Sequence, residues 1–346
     1  MFCKRFLPVL KYRNRNTQSI QIRTVQISVI GAAGDIGSNL AMLLKFNDKI
    51  TRLHLYDNDE KVRGVALELA YIPGGPAVAA FAGEQHLPSA VRDSKLVLMV
   101  SRVARKLGST REQMLASNAP PIQTLCKTIS KHNPEAFLAI STNPINSIIP
   151  FASTLLMSYN CYNPFKLFGI THIDTARARA FVGDALKVNP RKLQVPVIGG
   201  HSDETIVPLF SNIHPGGYTI DANRADMLTR KLRKAGVEVI INKQGMDSAT
   251  MAMAWSINEF TAAIVNAING AEVTVNSYTA NPHYGTRFFS GPINVGAQGI
   301  IETCCNFNMN NYEWELLQKS LPVLNRDITQ GEEFVHVVES SGHDYS

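Results

Sequence analysis

Gly31-Ala32-Ala33-Gly34-Asp35-Ile36-Gly37 sets three glycines at G-x-x-G-x-x-G spacing, directly after a short β-branched run and before a stretch of helical periodicity. Glycines in that setting allow a tight turn, let the backbone come close to a pyrophosphate, and leave helix amides pointing at the anion. The spacing alone also suits an ordinary glycine turn, because the common fingerprint is G-x-G-x-x-G. Asp57, 26 residues after Gly31, strengthens the dinucleotide reading. A carboxylate at the end of the second strand accepts hydrogen bonds from ribose hydroxyls and repels a 2′-phosphate, which favours NAD over NADP. Asp35 is placed to cap the start of the helix, although a carboxylate there would also lie close to the pyrophosphate.

These residues need a strand–turn–helix frame, and the chain supplies one. Val25 to Ile30 reads as a strand, and Ile36 to Phe46 as a helix with Ile36, Leu40, Leu43 and Leu44 at helical spacing. Leu53 to Tyr56 alternates and reads as a second strand, Glu60 to Tyr71 as a helix, and Pro73-Gly74-Gly75-Pro76 as its breaker. Leu96 to Val100 and Ala136 to Ile140 are further apolar strands with a helical stretch between them. Strands alternating with helices predict a Rossmann-type, doubly wound α/β parallel sheet over 25–169. Beyond Phe168-Gly169 the pattern changes. Helical segments are expected near 173–187, 222–241, 248–269 and 311–330, and strands near 193–199, 205–209, 272–279 and 286–301. This predicts a second, α+β domain over 170–338, with a polar tail over 339–346.

Composition narrows the class. The hydrophobic fraction of 45% and the charged fraction of 18% belong to a globular chain. No uninterrupted apolar run approaches the roughly 18 residues that cross a bilayer, so no membrane partner is expected. The net charge of +6 invites a nucleic-acid reading, but six of the 34 basic residues precede Asp35, where no acid occurs. The other 28 equal the 28 acidic residues, and the totals give a polyanion-binding patch no support. The acid-free segment 1–24, with Ser, Thr and Gln, reads as a mitochondrial transit peptide; a basic arm that stays attached is the alternative. Five cysteines without C-x-x-C spacing suggest neither a disulfide framework nor a zinc site, and a reduced compartment is the simplest account.

From about Val25 to Val338 the chain resembles the mitochondrial-type malate dehydrogenases of the lactate/malate dehydrogenase superfamily. The resemblance is carried by Gly31–Gly37, Leu55-Tyr56-Asp57, Arg105-Lys106-x-Gly108-x-Thr110-Arg111, Thr142-Asn143-Pro144-Ile145-Asn146, Asp174-x-x-Arg177 and Val197-Ile198-Gly199-Gly200-His201-Ser202. It implies NAD as cofactor, interconversion of malate and oxaloacetate, a homodimer, and the mitochondrial matrix. It also implies roles that the chemistry supports. His201 would take the hydroxyl proton when a hydride leaves carbon, and Asp174 would fix its tautomer and stabilise the imidazolium. Arg177, three residues on and on the same helix face, would bind the substrate's C1 carboxylate bidentately. Arg105 and Arg111 flank a glycine-containing loop of the kind that closes over substrate. Arg105 would meet the second carboxylate and Arg111 would polarise the carbonyl oxygen. Asn143 would hold the substrate oxygen. Gly31, Gly34, Ile36, Gly37, Asp57, Asn118, Thr142 and Met253 fall at cofactor positions. No metal is implied.

The match breaks close to these residues. Ser101-Arg102 stands where the family has Ala-Gly passing beneath the cofactor; the arginine either collides with a dinucleotide or swings out to pair with pyrophosphate. Leu107 and Ser109 replace the loop's usual Pro and Met. Pro120-Pro121 predicts a break or restart in the helix that holds Asn118. Asp203 and Asp247 replace family glycines. Their carboxylates either weaken the binding of a dianionic substrate and favour a protonated imidazole, or point to solvent and do little. Two alternatives follow: an impaired homologue serving as a structural or binding subunit, and a dehydrogenase for another 2-hydroxy acid.

Overall fold

The computed structural model describes residues 25–103 and 108–341. The leader 1–24, the loop residues Arg105, Lys106 and Leu107, and the end of the expected tail, 342–346, lie outside the described residues.

The first half alternates strands and helices as the periodicity requires. It runs β1 (Val25–Ile30), α1 (Asp35–Leu44), β2 (Ile50–Asp57), α2 (Lys61–Ala70), β3 (Ala77–Ala82), α3 (Leu87–Val91), β4 (Leu96–Met99), α4 (Arg111–His132), β5 (Phe137–Ile140), α5 (Ile145–Ser158) and β6 (Leu167–Ile170). These strands lie in the order β3-β2-β1-β4-β5-β6, and every pairing among them is parallel. The order reverses at β1, so a crevice opens above the carboxyl ends of β1 and β4, where open α/β sheets take their ligands.

Burial on both faces shapes the central strands. In β4, Leu96 and Leu98 join the core beneath α1 and α8, while Val97 and Met99 join the core beneath α4 and α5. A strand buried on both sides carries an unbroken apolar run, which is how β4 and β5 read in the sequence.

The second half contains α6 (His172–Leu186), β7 (Val197–Gly199), β8 (Ile206–Pro208), α7 (Ala222–Asn242), α8 (Met251–Ile268), β9 (Val273–Ala280), β10 (Phe288–Gly296), β11 (Gly299–Thr303) and α9 (Asn311–Ser341). β9 pairs antiparallel with β6, and β10, β7 and β8 extend the same sheet. The strand expected over 286–301 is two, β10 and β11, joined in a tight antiparallel turn. α9 continues to Ser341, three residues into the expected tail.

Two local expectations are corrected. α4 is one helix from Arg111 to His132 and contains Pro120 and Pro121 without a break. Both prolines are exposed, and the carbonyls that lose their partners belong to the exposed residues Ala116 and Ser117, where water can reach them. Leu115, Ile122, Leu125 and Ile129 are buried along the other face. At about 1.5–3 kcal/mol each, they match or exceed the roughly 3 kcal/mol that each proline costs. Asp35 does not cap α1. Gly34 is the N-cap and offers the first amides no capping side chain, and Asp35 is the first helical residue.

Candidate active site

The glycine turn is built as the spacing predicts. Gly31 has φ +96°, and a Cβ on it would lie 2.5 Å from the Ser101 nitrogen. A Cβ on Gly37 would lie 2.1 Å from the Gly31 carbonyl oxygen, so α1 can approach the turn only as glycine there. Gly31 and Ala32 donate their N–H groups to the Tyr56 carbonyl at 2.9 and 3.0 Å, which locks the turn to the end of β2. The Asp57 carboxylate accepts from Ala33 N–H at 2.9 Å and, more loosely, from Asp59 N–H at 3.3 Å. It therefore braces the turn besides facing the groove. With no side chain capping α1, the first-turn amides stay open to an anion. These residues suit a dinucleotide's ribose and diphosphate.

A second cleft opens beside this groove, and Ile36 and Arg102 line both. Its chemical centre is His201, whose Nδ1 lies 2.6 Å from Asp174 Oδ2. Asp174 comes from the first turn of α6, and His201 from the turn after β7. Asp174 is 1% exposed, and its Oδ1 has no hydrogen-bond partner among the described residues. With the Asp174 oxygen as acceptor at this distance, the Nδ1–H tautomer fits the pair and leaves Nε2 facing the cleft as the proton acceptor.

Arg177 follows on the same face of α6 and lines the cleft. Burial pulls its guanidinium below the ordinary arginine range while Asp174 holds it up. No hydrogen bond or ion pair engages it among the described residues. A largely buried guanidinium whose N–H donors reach no acceptor among the described residues is placed to take one from a ligand. Arg111, at the start of α4, also lines the cleft and lies 3.9 Å from the buried Asp327 of α9. Asn143 lines it from the turn after β5.

The asparagine and threonine at cofactor positions do structural work as well. Asn118 Oδ1 accepts from Val103 N–H at 2.8 Å, and its Nδ2 donates to the Asn143 carbonyl at 2.9 Å. It ties the segment after β4 to the turn after β5. The Thr142 hydroxyl donates to the Ser101 carbonyl at 2.7 Å and is buried. Met253, in the first turn of α8, packs into the cleft wall. Thus every proposed site residue within the described chain converges on the two adjoining hollows or the backbone between them.

Two residues were missed from sequence. Asn146 accepts from His201 N–H at 2.7 Å and donates to Asp327 Oδ2 at 3.0 Å, so it seats the histidine's backbone. Its place in the Thr142–Asn146 motif was the available signal. Arg233 of α7 lines the cleft, and its Nε donates to the Ile206 carbonyl at 2.9 Å. Burial lowers its pKa, opposed by Tyr312, Asp203 and Glu204. Arg233, Gly236 and Ile240 share one cleft-facing side at helical spacing, a pattern readable in the sequence. Asp203 is exposed on the cleft rim. Asp247 does not turn to solvent; it meets Arg102. Four arginines and two aspartates line the cleft, so its charge suits an anionic substrate. Among the described residues, no group of three or more His, Cys, Asp or Glu side chains is placed to hold a metal ion.

A doubly wound half with a glycine turn and ribose carboxylate, joined to a cationic cleft holding a His–Asp pair, defines a dehydrogenase using a nicotinamide dinucleotide. The chain belongs to the lactate/malate dehydrogenase family: residues 25–169 match its NAD binding domain and 171–335 its alpha/beta C-terminal domain. Its cofactor is NAD. It is 35% identical to the mitochondrial malate dehydrogenase of Felis catus over 90% of this chain and 91% of that one. It is 37% identical to malate dehydrogenase of Edwardsiella ictaluri, covering 90% of this chain and all 100% of that one. Its fold matches the crystal structure of Cryptosporidium parvum malate dehydrogenase with TM-score 0.77 and 24% identity, over 90% of this chain and 100% of that one. The C. parvum lactate dehydrogenase, complexed with lactic acid and nicotinamide adenine dinucleotide, matches with TM-score 0.75 and 22% identity, over 90% and 98%.

Proposed function

We propose that this chain interconverts (S)-malate and oxaloacetate. The observation that carries the reading is the Arg177 guanidinium, with no hydrogen-bond acceptor among the described residues, beside the His201–Asp174 pair in a net cationic cleft. Relatives named malate dehydrogenase, at 34–37% identity, support malate as the substrate. NAD, when bound, supplies the chemistry of accepting a hydride from the hydroxyl-bearing carbon. His201 Nε2 removes the hydroxyl proton, and Asp174 stabilises the imidazolium that results. Arg177 clamps the C1 carboxylate, Arg111 and Asn143 hold the oxygen that becomes a carbonyl, and Arg105 receives the second carboxylate.

Gly31, Gly34, Ile36, Gly37, Asp57, Asn118, Thr142 and Met253 form the cofactor's surroundings. We read 25–169 as the cofactor half and 170–338 as the catalytic half. Segment 1–24 is a transit peptide for the mitochondrial matrix, a reading supported by mitochondrial relatives; a bacterial relative is equally similar. The working form is a homodimer, as the family resemblance implies, and light scattering checks it.

The deciding experiment is oxaloacetate-dependent NADH oxidation by the purified chain, with His201→Ala as control. Turnover abolished by the substitution supports the reading. A folded chain that binds NADH without turning over oxaloacetate refutes it and favours an impaired binding subunit. Turnover only of other 2-oxo acids refutes the malate assignment alone.

A further inference from the structure

The segment after β4 and the loop between α7 and α8 approach each other at the cofactor groove. Arg102 Nη2 donates to Asp247 Oδ1 at 3.1 Å, with side chains 18% and 25% exposed. The family resemblance implies glycine at both positions, where this chain sets opposite charges in contact.

The position of Arg102 matters more than the bond. A dinucleotide reaching from Asp57 to His201 must pass through both hollows, and its diphosphate is the middle of the molecule. Arg102 lines both hollows. Along the groove beside the glycine turn the charged lining residues are Asp35, Asp57, Asp59, Asp247 and Arg102, so Arg102 is its one cation among the described residues. A diphosphate entering a groove with four carboxylates needs that guanidinium, and the guanidinium is already engaged.

Asp247 has other partners to fall back on. Ser248 N–H donates to its Oδ1 at 2.7 Å, and Lys243 Nζ lies 3.5 Å from its Oδ2. Burial opposes its ionisation, but the Ser248 amide, Arg102 and Lys243 outweigh that and hold its carboxyl below the ordinary range. The carboxylate would therefore remain charged and bonded after Arg102 departs.

We propose that Arg102 is a diphosphate-binding residue of this chain, held by Asp247 in the free protein and exchanged onto the cofactor when it binds. The inference rests on the dinucleotide placement proposed above. No covalent step is involved. One ionic partner replaces another, and opening the pair lowers the affinity the groove would otherwise have.

The test is a double-mutant cycle on the full chain, reading dissociation constants for NADH and for ADP-ribose by titration calorimetry. Adenosine serves as the phosphate-free control. Arg102→Gln should weaken both phosphate-bearing ligands about 10-fold or more, the usual range for losing a charge-assisted hydrogen bond, and leave adenosine unchanged. Arg102→Lys should recover part of the loss. Asp247→Asn should tighten both ligands several-fold in the parent chain and do nothing in the Arg102→Gln background. An Arg102→Gln chain that binds NADH as well as the parent, or better, overturns the inference. So does an Asp247→Asn gain that persists without Arg102, because that is a field effect and not an exchange. If neither the parent nor any variant binds NADH or ADP-ribose while folded, the dinucleotide placement itself fails, and the inference fails with it.

Discussion

Replacing Asp174 by Asn keeps the volume of a fully buried side chain and removes its charge. In the parent chain the carboxylate sits 2.6 Å from His201 Nδ1, 1% exposed, and no other hydrogen bond engages it among the described residues. As the substrate hydroxyl loses its proton the imidazole becomes a cation, with charge centres about 4 Å apart. At an effective dielectric of ~20 that attraction is about 4 kcal/mol. An asparagine carbonyl can still accept from Nδ1, returning about 1 kcal/mol. The remaining ~3 kcal/mol corresponds to a fall in turnover of about 10²–10³-fold, since about 1.4 kcal/mol is a factor of ten. The assay is steady-state oxidation of NADH by oxaloacetate, paired with NADH titration by fluorescence, because Asp174 lies outside the glycine-turn groove. Turnover within a factor of ten of the parent refutes the ion-pair account. Loss of NADH binding would instead mean that the carboxylate holds the fold of the site.

Three further outcomes are expected. Arg177→Gln should lower kcat/KM for oxaloacetate by roughly 100-fold, the loss of a bidentate charged contact, with NADH affinity unchanged; a drop below fivefold would remove Arg177 from the substrate. Burial, with Arg179 adding to it, pulls His172 down to about 4, and neither ring nitrogen has a hydrogen-bond partner among the described residues. The unfolded chain then takes up the proton first, so stability is unaffected above pH ~6.5 and falls as pH drops toward 4, by about 2 kcal/mol at pH 5. Urea unfolding at pH 7.5 and 5 should show His172→Leu losing less than the parent, and equal losses would refute a neutral buried imidazole. Because Pro121 lies inside the continuous α4, Pro121→Ala should raise stability by about 1–3 kcal/mol. A loss of stability on urea unfolding would indicate a break at that proline.

Much of this protein was determined by local sequence. The run Val25–Ile30, the glycines at 31, 34 and 37, and Asp57 at a strand end specify a dinucleotide-binding βαβ unit, because strand period, turn geometry and helix start are all short-range. Asp174-x-x-Arg177 places two groups on one helix face for the same reason. What the sequence leaves open is whatever depends on contacts distant along the chain. Pro120 and Pro121 read as a helix break because local propensity opposes them, and only the buried stripe of α4 against its neighbours overrules that. Asp35 reads as a cap because the neighbouring Gly34 has no side chain to compete with it, yet the turn geometry makes Gly34 the cap. The short strand β3 and the helix α5 lack an alternating or amphipathic signature, since α5 is buried on nearly every side. The pairing of His201 with Asp174 across 27 positions, Asn146 seating the histidine, and Arg102 meeting Asp247 across 145 positions exist only once the sheet brings those loops together. Sequence determines which groups are available and which helix or strand face each occupies. Tertiary packing decides which charges meet, because an ion pair depends on a few ångströms of separation that spacing along the chain does not encode.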